Sequence, residues 1–123
     1  MLKNHNKIDT NKNKKTIQYI SKLPMNIDPV IISLYETINN PNNFGVFKLW
    51  KFYSLQNALD NYYKSNDKNF FDIGYIRNNL QNIILTYNFN EEQYKCRYQY
   101  KYDNKVYKEQ YFVSFYDWYN SVI

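Results

Sequence analysis

A chain of 123 residues with 44% apolar and 20% aromatic side chains can bury one core without disulfides or metal, and one domain is the default at this length. A single cysteine (Cys96) and a single histidine (His5) exclude an intrachain disulfide, a Cys-based zinc site, and Ser-His-Asp or Cys-His catalysis in the body of the protein. The net charge of +5 points to anionic partners, and its distribution matters more than its size.

Usage is skewed: 20 Asn, 14 Lys, 15 Tyr and 8 Phe stand against one Ala, two Gly and two Arg. The abundant residues have AT-rich codons and the scarce ones GC-rich codons, so the simplest source is an AT-rich genome: an organelle, a virus, a linear plasmid or an AT-rich bacterium. One Asn or one Tyr is therefore weak evidence of function. No stretch approaches the ~18 consecutive apolar residues of a membrane helix, and no secretory signal follows Met1. The expected setting is a reducing intracellular compartment, such as an organelle matrix or virus-infected cytoplasm, with no membrane insertion.

Residues 1–22 hold six lysines (Lys3, Lys7, Lys12, Lys14, Lys15, Lys22) and one acid, Asp9, which is the whole +5. Residues 23–123 hold 10 basic and 10 acidic side chains and are neutral. Residues 1–22 thus read as a flexible basic arm, too polar to repay its own ordering, and 23–123 as one globular domain. The arm either docks on phosphate or an acidic partner, with Lys12, Lys14 and Lys15 as its densest cations, or solubilises the chain.

In chain order, Asp28-Pro29 opens a helix, with Asp as N-cap and Pro at the first helical position. Val30, Ile31, Leu34, Tyr35 and Ile38 recur at helical spacing, and the Asn-rich run 39–43 ends it. Residues 45–53 suit a short strand or the front of a helix. Ser54 caps an amphipathic helix with Leu55, Ala58, Leu59 and Tyr62 inward. After a turn at 65–69, Asp72 caps a predicted helix over 72–84. Ile73, Ile76, Leu80 and Ile83 form its inner face and Arg77, Asn78, Asn79, Gln81 and Asn82 its outer face. Residues 83–89 fit a helix end or a strand.

Residues 94–102 alternate strictly, with Tyr94, Cys96, Tyr98, Tyr100 and Tyr102 on one face and Lys95, Arg97, Gln99 and Lys101 on the other. That alternation predicts a half-buried strand. A two-residue Asp103-Asn104 turn returns the chain over 105–113, placing Tyr100 opposite Tyr107 and Cys96 opposite Tyr111, with Lys108 and Gln110 joining the basic face. Ser114 and Asp117 then cap a last helix, with Phe115, Trp118, Tyr119 and Val122 inward.

Three constellations carry functional readings. Lys95, Arg97, Lys101 and Lys108 make a cationic ribbon that tracks phosphates, or merely the solvated side of a hairpin. The element order resembles that of a winged helix-turn-helix, with Arg77, Asn78, Asn79 and Gln81 on the reading helix, where Asn and Gln can pair with adenine and Arg with guanine. The resemblance is one of layout, not of motif residues, and implies no family. The tyrosines are either core or stacking partners for unpaired bases. Phosphate-cradling loops fail because Gly45 and Gly74 stand alone.

The expected protein is α+β: three to four helices on a small antiparallel hairpin or meander, behind a basic arm. It is expected to be non-catalytic, with no cofactor and no metal, and to bind RNA or DNA through its arm and hairpin face. The alternatives are a structural subunit of a larger protein or ribonucleoprotein assembly, and a host-directed protein inhibitor.

Overall fold

The computed structural model describes residues 18–37 and 50–122. In chain order these form α1 (Pro29–Thr37), β1 (Lys51–Phe52), α2 (Leu55–Lys64), β2 (Phe70–Arg77), β3 (Gln81–Asn88), β4 (Gln93–Tyr100), β5 (Val106–Phe112) and α3 (Phe115–Val122). The expected arm, Lys12, Lys14 and Lys15 included, lies outside the described residues apart from its last five positions.

The helix starts follow the capping chemistry of the sequence. Asp28 Oδ1 accepts the Val30 N–H at 3.0 Å, Ser54 Oγ accepts the Asn57 N–H at 3.1 Å, and Ser114 Oγ accepts the Asp117 N–H at 3.2 Å. Each satisfies an orphan amide of a first turn, an interaction worth about 1 kcal/mol. Leu55, Ala58 and Leu59 are buried as their spacing requires. Among the described residues no helix is long and apolar enough to cross a membrane.

The five strands form one antiparallel meander in the order β1-β2-β3-β4-β5. Register puts Phe71, Tyr87 and Tyr94 in one row and Leu85 and Cys96 in the next, all on one face. This inner face packs on the helices. Trp118 meets Trp50 (5.2 Å) and Phe52 (6.0 Å) edge-on, Phe115 lies 5.7 Å from Tyr94, and Tyr62 of α2 lies 5.6 Å from Phe71. The Tyr94 hydroxyl donates to Asp28 Oδ2 at 2.6 Å, tying the sheet centre to the cap of α1. Gly74 permits the β1–β2 approach: a Cβ there would sit 2.9 Å from the Lys51 carbonyl oxygen and 3.2 Å from the Phe52 ring.

Two sequence expectations are corrected. The helix over 72–84 does not form; residues 70–88 are the β2–β3 hairpin, so the sheet is larger than a hairpin with a short third strand and the winged-helix layout is lost. Ile73, Ile76, Ile83, Ile84 and Thr86 are β-branched and Phe70, Phe71, Tyr75 and Tyr87 are aromatic, a composition that fits a pleated surface better than a helix. Asn78 makes the turn. Its Oδ1 accepts the N–H groups of Leu80 (2.9 Å) and Gln81 (2.8 Å), and its own N–H donates to the Gln81 carbonyl. Leu80, expected inward, is 79% exposed at the tip.

The second correction concerns the β4–β5 register. Cys96 pairs with Gln110, Arg97 with Glu109 and Tyr98 with Lys108, one residue off the expected pairing, and a bulge follows at Tyr98/Gln99. The turn is longer than two residues: Tyr100 N–H donates to the Lys105 carbonyl, Asn104 N–H donates to the Tyr100 carbonyl, and Asn104 takes φ 57°. From Lys108 onward the one-residue shift moves the β5 side chains to the other face, while before the bulge Tyr107 stays against Tyr100. Lys108 and Gln110 therefore stand on the tyrosine face, and Glu109 and Tyr111 stand beside Lys95 and Arg97.

Candidate functional site

The outer face of the sheet does not present the expected cationic ribbon. Lys95 is buried, and its ammonium donates to Glu109 Oε2 at 3.0 Å between the rings of Phe70 (4.8 Å) and Tyr111 (4.9 Å). Burial pulls its pKa down, but hydrogen bonds to Glu109 and Tyr111 outweigh that and raise it, keeping the group charged. Arg97 pairs with Asp72 at 2.9 Å and lies 5.0 Å above the Phe70 ring. Both cations are spent inside the fold, on cross-strand ion pairs that the sequence alternation could not reveal.

The remaining cations gather elsewhere. In an antiparallel meander the β2–β3 and β4–β5 turns fall at the same end of the sheet, and here their backbones are joined: Lys101 N–H donates to the Leu80 carbonyl at 3.1 Å. Arg77, Lys101, Lys105 and Lys108 are all exposed at this end, against one acid, Asp103. Neither ion pair among the described residues uses them. Arg77 and Lys108 instead lie over the rings of Tyr75 (4.5 Å) and Tyr98 (5.0 Å). At the opposite end, the β3–β4 turn carries Glu91 and Glu92, and Lys68 folds back onto the carbonyls of Tyr62, Tyr63 and Ser65.

Between the joined turns lies an open groove of about 580 Å³, lined by Asn78, Asn79, Leu80, Gln81, Tyr100 and Tyr107. Its floor is a tyrosine stack. Tyr100 and Tyr107 lie 4.4 Å apart at 24°, Tyr102 follows at 5.5 Å and 30° from Tyr100, and Tyr98 flanks Tyr107 at 6.2 Å. Tyr107 donates its hydroxyl to Gln81 Oε1, and Tyr98 donates to Gln110 Oε1 at 3.1 Å. The rings belong to the inner face but extend past the helices. At roughly 1.5 Å per residue the eight residues of α3 span about 12 Å, whereas eight-residue strands at about 3.3 Å per residue span about 26 Å. Such an arrangement offers flat aromatic surface, amide groups and cations outside both ion pairs of the described residues. Burial pushes the Cys96 thiol up to about 12, against a lowering hydrogen bond with Trp118, so it is not a thiolate near neutral pH.

No family model, no characterised protein sequence and no solved structure matches this chain.

Of the residues nominated from sequence, the tip brings together Arg77, Asn78, Gln81, Lys101 and Lys108, although on strands and turns and not on a recognition helix. Lys95 and Arg97 are set apart on the outer face. Sequence reasoning set Tyr100 opposite Tyr107, and the two rings do stack, and it put Asn79 on the same polar face as Asn78; it missed Leu80 and Lys105 as site residues. The available signal was the Asn78-Asn79 pair between two β-branched runs, which reads as a turn.

Proposed function

We propose that this protein is a non-catalytic accessory protein that binds single-stranded nucleic acid at the joined hairpin tips, with the basic arm adding sequence-independent attraction. The observation that carries the reading is the coincidence, at one end of a neutral body, of the exposed Tyr102–Tyr100–Tyr107 stack with the cations Arg77, Lys101, Lys105 and Lys108, which neither ion pair among the described residues uses. Stacked bases and adjacent phosphates need that combination, and each base stacked on an aromatic ring contributes about 1–3 kcal/mol. The exposed position of the rings suits unpaired bases, because a duplex buries its base faces in its own stack.

The test is fluorescence anisotropy with a labelled oligonucleotide across a salt series, comparing the full chain with the Lys101→Ser/Lys105→Ser/Lys108→Ser variant. Affinity should fall, and the dependence on salt should flatten by about 0.7 in logarithmic slope for each lysine that touches a phosphate of a single strand. Unchanged affinity and slope contradict the proposal.

A second reading, a subunit of a larger assembly, is favoured by Tyr111, Val113 and Tyr116, which are 48%, 71% and 67% exposed where β5 passes into α3. A protein partner would cover this flank and leave the tip variant's assembly unchanged.

A further inference from the structure

We infer that the protein self-associates as a two-fold dimer, pairing β5 with β5 of a second copy in the register that sets Gln110 opposite itself. The inference does not rest on the tip; it concerns the edge of the sheet.

Among the described residues β5 is the last strand of the meander, so one side of its backbone has no strand partner. Which groups face that side follows from the ladder. Tyr100 N–H donates to the Lys105 carbonyl, whereas Lys101 N–H turns the other way, to the Leu80 carbonyl. Antiparallel strands alternate in this manner, so Tyr94, Cys96 and Tyr98 bond to β5, and their partners Phe112, Gln110 and Lys108 bond back. Glu109 and Tyr111 therefore aim their N–H and C=O groups at the open edge. Such a row is a template for another strand unless it is guarded. The guards stand at one end only: Tyr107 is the unpaired residue of the bulge, and the Lys108 ammonium is turned onto the Tyr98 ring at 5.0 Å. The run from Glu109 to Val113 holds no proline and no lysine. Half of the large apolar side chains exposed among the described residues (Val106, Tyr107, Tyr111, Val113 and Tyr116) lie on this strand or just beyond it.

A second copy is the occupant that these side chains select. A two-fold antiparallel pair places one residue of β5 on the axis, opposite itself. Centring on Lys108 or on Glu109 opposes like charges, which destabilises a cross-strand pair. Centring on Tyr111 leaves the Glu109 carboxylate facing Val113. Centring on Gln110 sets Glu109 opposite Tyr111 of the second copy on both sides of the axis, so the outward N–H and C=O groups of each find one another. Glu109 has one carboxylate oxygen on Lys95 and keeps the other for a phenol. Gln110 meets Gln110, each amide both donor and acceptor, and Lys108 meets Phe112. Because the paired strands run in opposite directions, the two tip grooves fall at opposite ends of the joined sheet. The bulge at Tyr107 ends the seam short of the tyrosine stack.

The experiment is sedimentation velocity of the full chain over a concentration series, with Gln110→Lys, Gln110→Glu and an equal mixture of the two variants. Gln110 is exposed, and the unfolding midpoint of each variant checks that the monomer is intact. Wild type should pass from monomer to dimer as concentration rises. Each variant alone should weaken the dimer about fivefold or more, because it sets like charges across the axis, and the mixture should restore it through opposite ones. A wild type that stays monomeric into the millimolar range overturns the inference and leaves the edge to a strand of another protein. A dimer that neither variant weakens, or that mixing the variants does not restore, overturns the pairing at Gln110 and the inference with it.

Discussion

Tyr94 and Tyr100 stand on the same strand and the same face, six residues apart, yet Tyr94 is 1% exposed and Tyr100 is 39% exposed. The first lies under Phe115 and gives its hydroxyl to the cap of α1; the second stacks on Tyr107 in the open. Strand alternation decides which face a tyrosine joins, and it does so correctly for both. Whether that tyrosine becomes core or surface depends on how far the helices reach along the strands. The covered half of this face carries stability, and the bare half is available for binding.

Three experiments would break or sharpen that division. The largest effect belongs to the covered half. Trp118 is fully buried among Trp50, Phe52 and Phe115, and Trp118→Ala should cost about 3–5 kcal/mol in urea denaturation. A loss below about 1 kcal/mol would mean that the helix cover is not the core.

The next effect is alkaline. Burial raises the Cys96 thiol from 9.0 to about 12, and burial, then the hydrogen bond to Asp28 and its charge, raise the Tyr94 hydroxyl above 10.0. Burial likewise raises Tyr35. The folded state then holds protons that the unfolded chain has released, so the stability these neutral groups contribute is complete below the unfolded values and is lost as pH rises through the folded ones. Thermal midpoints should decline from about pH 9 upward, and Tyr94→Phe should flatten the decline. A level profile between about pH 8 and about pH 11 would contradict this account of the covered half.

The smallest effect on stability belongs to the tip. Tyr100 and Tyr107 are the two rings on which the binding proposal depends. Replacing both should leave the unfolding midpoint close to wild type, since exposed side chains away from the core usually change stability by about 0.5 kcal/mol or less each.

Much of the fold was legible in local chemistry. Asp28, Ser54 and Ser114 announced their helices, and the alternation over 94–102 announced β4. The segment 70–88 was not legible by periodicity alone, because Ile73, Ile76, Leu80 and Ile83 match a helical face as well as two short strands. The β-branched content and Asn78-Asn79 were the deciding signals. The β4–β5 register was hidden for a different reason: a bulge and a longer turn are set by backbone conformation at Asn104, and a shift of one residue exchanged Lys108 for Glu109 beside Lys95 and Arg97. Of the candidate site, the cations at Arg77, Lys101 and Lys108 could be named from sequence, but their meeting with Tyr100 and Tyr107 depends on which turns share an end of the sheet. That is a property of the topology, and no single segment encodes it.

The most direct measurement is the affinity of Tyr100→Ala/Tyr107→Ala for a labelled single-stranded oligonucleotide at fixed salt, taken beside its unfolding midpoint. The account predicts a loss of about tenfold or more in affinity with the midpoint nearly unchanged, as expected when stacking platforms are removed from a surface. Wild-type affinity in a folded double variant would contradict it and would place any binding on the basic arm alone.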